Sequence, residues 1–236
     1  MDALIDSGEV RQIIIITEGK PGSGISPVEA ARKAYNEGIV VSAVGIVNPE
    51  GGSEKDMEAV KNIAEAGGGL WYYSDMKGLK CTIREITHGT ALKTIEQIVS
   101  RQLKTIIGGE ISALESQSRK RIMDFIEKYG GSINLKCVVV IDTGKSIRGS
   151  LSYVKRSIAG LLESLKKRKG RSSIAVIVSS CEPAGMHNII CDFTDDTKLL
   201  NQKLEIIRFK EGGQAGASIL AACELMNQYY EVYNAE

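Results

Sequence analysis

The sequence predicts an α/β fold: a three-layer, doubly wound (Rossmann-like), mostly parallel sheet with a helical insertion. Short β-branched runs such as Gln12 to Thr17 are typical of strands that are buried on both faces. Most of these runs alternate with amphipathic segments of helical spacing, which favours parallel strands covered by helices. The segment from Leu79 to Gly130 has no strand pattern and is therefore the predicted insertion.

The first part of the chain follows a strand–helix–strand–helix–strand pattern. Ser26 and Pro27 are typical of a helix start, and Ser53 is a second capping residue. Gly38 and Gly67 are typical of helix ends. The three predicted strands cover residues 12–17, 39–47 and 70–73.

The middle of the chain is predicted to be two helices separated by Gly108 and Gly109. The apolar residues from Ile83 to Ile106 repeat at helical spacing, as do those from Ile111 to Tyr129. Two interpretations remain open for this region. The helices pack on the sheet or on each other, which is the common arrangement for amphipathic helices, or they form a docking arm for a partner.

The last part of the chain resumes the alternating pattern, so that about six strands are expected in all. Lys166 to Lys169 form a basic run at the end of a predicted helix. This run either complements the helix dipole at a solvated helix end or forms a phosphate patch. The strands expected here cover residues 135–141, 173–180 and 187–193, and the helices cover 152–167, a segment from 195 onwards, and 215–230.

Composition excludes several classes of protein. The 236 residues include 30 basic and 29 acidic side chains, and this balance argues against nucleic acid and anionic membranes as partners. No apolar run approaches the ~20 residues that span a bilayer, and the start of the chain lacks a signal-peptide pattern. The five cysteines contain no C-x-x-C pair, so we expect reduced thiols in the cytoplasm. Two histidines are too few for a histidine-rich metal centre.

One motif stands at the end of a predicted strand. Asp142-Thr143-Gly144-Lys145-Ser146 follows the apolar run 137–141, and ligands of parallel α/β sheets bind at the carboxyl ends of strands. A carboxylate and a hydroxyl four residues apart suit a hard cation such as Mg²⁺. The Gly-Lys-Ser ending is also that of a phosphate-binding loop. That loop needs a glycine where Val139 stands, so a nucleotide site is not favoured.

Residues 138–146 resemble the first strand and the metal-ion-dependent adhesion site of von Willebrand factor A (vWA) domains, whose pattern is D-x-S-x-S. Residues 12–21 are similar to the family's later strand and its I-x-x-T-D-G loop. The segments that also follow the family's course are 38–46, 63–69, 193–196 and Gly212-Gly213.

The order of these segments is the reverse of the family's order, which implies a circular permutation. Residues 1–77 then correspond to the second half of a vWA fold and residues 135–236 to the first half. Residues 78–134 form a helical connector, and together the three parts make one domain. We expect the halves to close within one chain, with Tyr230 near Leu4, as a monomer; a domain-swapped dimer is the alternative.

The resemblance implies a metal site that is degenerate. Asp142 and Ser146 match the family pattern, whereas Glu18 replaces an aspartate and Gly144 replaces the first serine. The family's threonine falls near Gln214 or Ala215, neither of which has a hydroxyl. The expected metal ligands are therefore Asp142, Ser146 and Glu18, and we expect Mg²⁺ to bind weakly or not at all. On this basis Gly144→Ser together with Lys145→Ser would strengthen binding.

The expected function is a non-catalytic protein–protein interaction module. In the vWA family the carboxyl edge of the sheet engages an acidic residue of the partner, and here Lys145, Gln214 and Lys20 are the expected partner-binding residues. Similar short permuted vWA proteins occur in spore-forming Firmicutes, near genes for a sporulation phosphatase and a serine/threonine kinase.

An alternative is a nucleotide-dependent switch or a small enzyme that uses Asp142, Lys145 and Ser146. Ser146 and Cys181 are its candidate nucleophiles. Neither histidine has an evident nucleophile or carboxylate partner in the sequence, which disfavours an enzyme.

Overall fold

The computed structural model describes residues 9–20, 22, 24–47, 53–109, 111–179, 188–207 and 213–233. The side chains at 107, 145, 146, 188 and 230–233 are outside this description. The strands are β1 (Glu9–Thr17), β2 (Val40–Ile46), β3 (Gly68–Ser74), β4 (Asn134–Ile141), β5 (Ser172–Val178) and β6 (Asn188–Thr194). The helices are α1 (Pro27–Asn36), α2 (Glu54–Ala66), α3 (Leu79–Ile107), α4 (Ser116–Gly130), α5 (Lys145–Gly149), α6 (Leu151–Leu165), α7 (Thr197–Glu205) and α8 (Ala215–Tyr233).

The six strands form one sheet in the order β3-β2-β1-β4-β5-β6. All neighbouring pairs are parallel except β5 and β6, so the predicted mostly parallel sheet is confirmed. Strands from before and after the helical middle are neighbours at its centre, where β1 pairs with β4. The register places Ile16 opposite Ile141, so these two strands end side by side at their carboxyl ends.

Helices cover both faces of the sheet, which confirms the three-layer, Rossmann-like architecture. On one face, α3, α6 and α7 pack on alternate residues of the strands, such as Ile14 and Val139. On the other face, α1, α2 and α8 pack on the intervening residues, such as Ile13 and Val138. Because both faces are buried, the central strands are almost continuously apolar, as the sequence pattern predicted.

The helical middle packs mainly on the sheet. The first half of α3 buries Leu79, Ile83 and Ile86, and α4 adds Ile126 to the same core. The end of α3 and one face of α4 stay exposed, and they carry Ile106, Met123, Phe125 and Tyr129. The packing interpretation is thus confirmed for the first half of α3, and the docking arm stays a prediction for the exposed part.

Several predicted boundaries need correction. The helix predicted at 152–167 covers Leu151–Leu165, and the strand predicted at 70–73 covers Gly68–Ser74. The short helix α5 was not predicted, because its glycines and serine favour a loop and its first residues depend on a distant carboxylate described below. Leu4, Cys181 and His187 lie outside the described residues. Within the described part of the chain, no helix is long and apolar enough to cross a membrane.

Candidate functional site

The predicted motif lies where the carboxyl ends of β1, β4 and β5 meet. The backbone N–H of Asp142 donates to the Ile16 carbonyl at 2.9 Å, and that of Ser179 donates to the Ile141 carbonyl at 2.8 Å. These bonds extend the strand pairing by one residue on each side. The side chains that follow the three strands are consequently brought together, as the position of the motif predicted.

Asp142 is held by the neighbouring strand β1. Its Oδ2 accepts a hydrogen bond of 2.7 Å from Thr17 Oγ1, which itself accepts from the Gly19 N–H at 3.0 Å. Burial raises the pKa of Asp142, the hydrogen bond from Thr17 acts in the opposite direction, and the nearby charge of Glu18 raises it further. A buried carboxylate in such surroundings favours binding a proton or a cation.

The Glu18 carboxylate lies beside Gly144 and is almost fully buried, with 7% of the residue exposed. Its Oε2 pairs with Lys20 Nζ at 2.8 Å, and its Oε1 accepts from the Ile147 N–H of α5 at 3.4 Å. A Cβ on residue 144 would overlap this carboxylate. Glu18 therefore occupies the space in which a side chain at position 144 would stand.

This arrangement changes one expectation about the metal site. A serine at position 144 cannot simply add an oxygen ligand, because Glu18 must first leave its place. Glu18 is also bound by Lys20 and by the α5 backbone, so it is not a readily available ligand. The expectation that Gly144→Ser with Lys145→Ser would strengthen Mg²⁺ binding stays a prediction, and the position of Glu18 argues against it while Glu18 is retained.

Two buried hydroxyls lie next to Asp142. Thr143 Oγ1 and Ser179 Oγ have no hydrogen-bond partner in the described part of the chain, although these residues are only 3% and 1% exposed. A Cβ on Gly213 would lie 3.2 Å from the threonine oxygen and 2.8 Å from the serine oxygen, and it would overlap Asp142 Oδ1. Three oxygens thus face one small space. Buried polar atoms are normally satisfied, so this space suits a water molecule or a cation.

The predicted partner-binding residues follow strands β1 and β4 or precede helix α8. Lys20 is 58% exposed at its side chain although it pairs with Glu18, and that hydrogen bond raises the pKa of Lys20. The Gln214 amide lies against the loop after β1, with its Oε1 3.4 Å from where a Cβ on Gly24 would stand. Lys145 and Ser146 begin α5, but their side chains lie outside the described structure.

The loop after β1 is held in place through Gly19. This residue has a φ of 73°, which favours glycine, and a Cβ there would overlap the backbone carbonyl of Asp56. The start of α2 therefore presses directly on the turn that carries Glu18 and Lys20. Only glycine accepts both the positive φ and the close approach of the Asp56 carbonyl.

Sequence reasoning missed four residues of the site: Thr17, Thr143, Ser179 and Gly213. Thr17 and Thr143 each adjoin a residue that was singled out, so they could have been found by their position at a strand end. Ser179 was placed inside a predicted strand, whereas β5 ends at Val178. Gly213 was interpreted only as part of a Gly-Gly pair before the last helix that follows the family's course, and its closeness to Asp142 depends on the tertiary structure.

The metal ligands predicted from the sequence are only partly assembled. Asp142 and Glu18 lie at the same edge, and Ser146 lies in the adjoining helix, with its side chain outside the description. Among the described residues, no group of three or more histidine, cysteine, aspartate or glutamate side chains is arranged to hold a metal ion. The oxygens of Asp142, Thr143 and Ser179 include a single carboxylate, which fits weak rather than tight binding of Mg²⁺.

Comparisons with known proteins support the fold. A crystal structure of an uncharacterized protein from Alicyclobacillus acidocaldarius subsp. acidocaldarius DSM 446 superposes with a TM-score of 0.84 at 29% identity, over 97% of each chain. The uncharacterized protein YabS of Bacillus subtilis (strain 168) is 29% identical over 176 residues, which are 74% of this chain and 72% of YabS. No family model matches the chain.

Proposed function

We propose that this chain is a non-catalytic protein-binding module of the permuted vWA type, whose partner contacts the carboxyl edge of the sheet. The observation that carries the proposal is the group of oxygens from Asp142, Thr143 and Ser179. The Thr143 and Ser179 hydroxyls are buried without a hydrogen-bond partner among the described residues, and both face the space beside Asp142. Buried hydroxyls without a protein partner are normally satisfied by a water molecule, an ion or a ligand group.

The strand order supports the vWA type. In the permuted arrangement, the motif strand β4 must lie at the centre of the sheet beside the strand that ends in Thr17 and Glu18. The observed order places β1 and β4 side by side, with Ile16 opposite Ile141. The two sequence segments that carry the resemblance thereby contribute to the same edge.

The partner group that best fits this edge is an acidic side chain. Lys20 and the expected Lys145 supply positive charge, and the Gln214 amide can donate to a carboxylate. The proposed partner-binding residues are Lys145, Gln214 and Lys20.

A weakly bound Mg²⁺ is a further part of the proposal. Asp142 would hold it, with Ser146 as the predicted second ligand and with Thr143 and Ser179 close by. When bound, the cation would supply a positive charge for a partner carboxylate. Glu18 would contribute only after release from Lys20 and the α5 backbone, which is why we expect weak binding.

Photocrosslinking at single positions tests this function in the native organism. We expect a crosslinker at Lys20 or Gln214 to capture the same protein, and Asp142→Asn to reduce that capture. A crosslinker at Phe125, on the exposed face of α4, is the control for the docking-arm interpretation. Capture from Phe125 alone would contradict a partner at the carboxyl edge.

Other outcomes separate the alternatives. Thermal stabilisation by ATP or GTP, lost in Asp142→Asn, would favour a nucleotide-dependent switch or enzyme instead. We also propose that the chain is a monomer, because β1 and β4 can pair within one chain, and that it is cytoplasmic, because its five cysteines contain no C-x-x-C pair and are expected to be reduced thiols. Light scattering tests the monomer, and a stable dimer would contradict it.

A role in sporulation rests on the resemblance alone, and a normal spore yield after gene deletion would contradict it.

A further inference from the structure

A pocket of about 270 Å³ lies at the opposite edge of the sheet from Asp142. It opens between α3 and the end of α6, over the beginning of β4. Its apolar lining comes from the buried side chains of Ala91, Leu135 and Leu165. Polar and charged side chains from both helices complete it, and these include Ser164.

Arg168 is the most firmly held charged group of this pocket. Its guanidinium donates to the carbonyls of Gly130 at 2.9 Å and Ile133 at 3.0 Å, and to Ser172 Oγ at 3.0 Å. A guanidinium has five N–H donors, so two of them make no hydrogen bond with the described residues. These bonds fix the cation against the wall of the pocket.

Arg168 has no carboxylate partner in the described part of the chain. The residue is half-buried, and its burial lowers its pKa because the charged form is desolvated. Buried and half-buried charges in proteins are normally paired with an opposite charge or with a ligand. The three oxygens that Arg168 does contact are all neutral, so its counter-charge is missing.

Arg84 adds a second positive charge to the lining of the pocket. Arg84 of α3 lines it, is exposed, and makes no hydrogen bond or ion pair with any residue that the structure describes. His88 lies one helical turn further along the same wall. Lys166 and Lys167 adjoin it in the chain. Glu85 is the acidic residue of the lining, and it forms no ion pair with the residues that the structure describes.

We propose that this pocket binds a small organic anion, in which a carboxylate or phosphate group contacts Arg168 and Arg84 and a short apolar group contacts Leu135 and Leu165. The volume lies just below the ~300–1,000 Å³ of sites for drug-sized ligands, which indicates a small molecule. This site is separate from the carboxyl edge and does not depend on the function proposed there.

Titration calorimetry with phenyl phosphate, benzoate, inorganic phosphate and benzyl alcohol tests the proposal. Phenyl phosphate or benzoate should bind more tightly than inorganic phosphate, because only they fill the apolar part. The tighter of these two identifies the anion class. Benzyl alcohol, which is neutral, should not bind at millimolar concentration.

Three variants locate the binding. Arg84→Gln should weaken it about tenfold, because one charge-assisted hydrogen bond is lost, and Ser164→Leu should weaken it by filling the pocket. Arg32→Gln is the matched control, because Arg32 is an exposed residue of α1 on the other face of the sheet. The proposal is overturned if neither organic anion binds, or if Arg84→Gln and Ser164→Leu bind as tightly as the Arg32→Gln control. Arg84 is exposed and Ser164 is half-buried, and neither residue accepts a hydrogen bond from Arg168. Both variants should therefore fold.

Discussion

The Glu18 carboxylate occupies the space that a side chain at position 144 would need, so Glu18 and Gly144 form a matched pair across β1 and β4. In the family pattern these two positions are an aspartate and a serine. Lys20 and the Ile147 N–H bind the two oxygens of this carboxylate and hold it in place. Under the proposed vWA relationship, these two departures from the pattern are one local change of packing, and each should be tolerated only with the other.

Gly144→Ser should therefore destabilise the protein without improving Mg²⁺ binding. Overpacking against the buried Glu18 should lower the free energy of unfolding by about 1–3 kcal/mol. Adding Glu18→Asp should relieve the overlap, restore most of this stability and tighten Mg²⁺ binding about tenfold. Urea unfolding and titration calorimetry measure the two effects. Gly149→Ser is the control, because a Cβ there has open space around it. Tight Mg²⁺ binding by Gly144→Ser alone would contradict the pairing.

Asp142 should make stability depend on pH. Its pKa in the folded state is raised, mainly by burial, above the unfolded value of about 3.9. Between these two pKa values the folded state binds more protons than the unfolded state, so stability falls as pH rises through this window. Asp142→Asn removes the charge and can still accept the hydrogen bond from Thr17.

Urea unfolding in EDTA between about pH 4 and pH 8 tests this expectation. Asp142→Asn should become progressively more stable than the unmodified protein as pH rises, and the difference should then level off. Asp124→Asn, at an exposed position of α4, is the control. A difference that shrinks with rising pH would show that Asp142 is stabilised as the anion.

The fold could largely be predicted because the buried apolar residues on both faces of the sheet follow the regular spacing of strands and helices. The continuous apolar run from Ile13 to Ile16 is explained by a central strand with helices on both faces. The short helix α5 could not be predicted, because its Ile147 N–H bonds to Glu18, which lies 129 residues away in the chain. Local propensity contains no information about such a contact.

The candidate site could be predicted only in part. Asp142 and Glu18 follow apolar runs, so their meeting at one edge followed from the rule for parallel sheets. Ser179 and Gly213 join them only because β5 ends at Val178 and because α8 starts beside Asp142. The pocket around Arg168 also needed the structure, since its basic run could equally be a solvated helix end in the sequence.

Gly19→Ala should cost more stability than the same change at another glycine of similar conformation. Both Gly19 and Gly108 have positive φ angles, of 73° and 70°, which disfavour alanine by about 1 kcal/mol. A Cβ at Gly19 also overlaps the Asp56 carbonyl, whereas one at Gly108 meets nothing within 4 Å. We expect Gly19→Ala to lose about 3 kcal/mol and Gly108→Ala about 1 kcal/mol in urea unfolding. Equal losses would show that the loop moves away from α2 at little cost.

The cysteines should differ sharply in reactivity. Burial raises the pKa of the Cys137 and Cys223 thiols to about 12, and the Cys223 Sγ also donates to Glu37 Oε2 at 2.9 Å. Because the thiolate is the reactive form, these two should not react in the folded protein at neutral pH, whereas the exposed Cys81 should. Burial also protects Cys191.

Cys181 lies outside the described residues, so the measurement uses Cys181→Ser, in which four thiols remain. Ellman's reagent should titrate one thiol rapidly in the folded variant and all four in denaturant. Adding Cys81→Ser should abolish the rapid phase, and a rapid phase that survives it would mean that one of the two helical layers opens readily under native conditions.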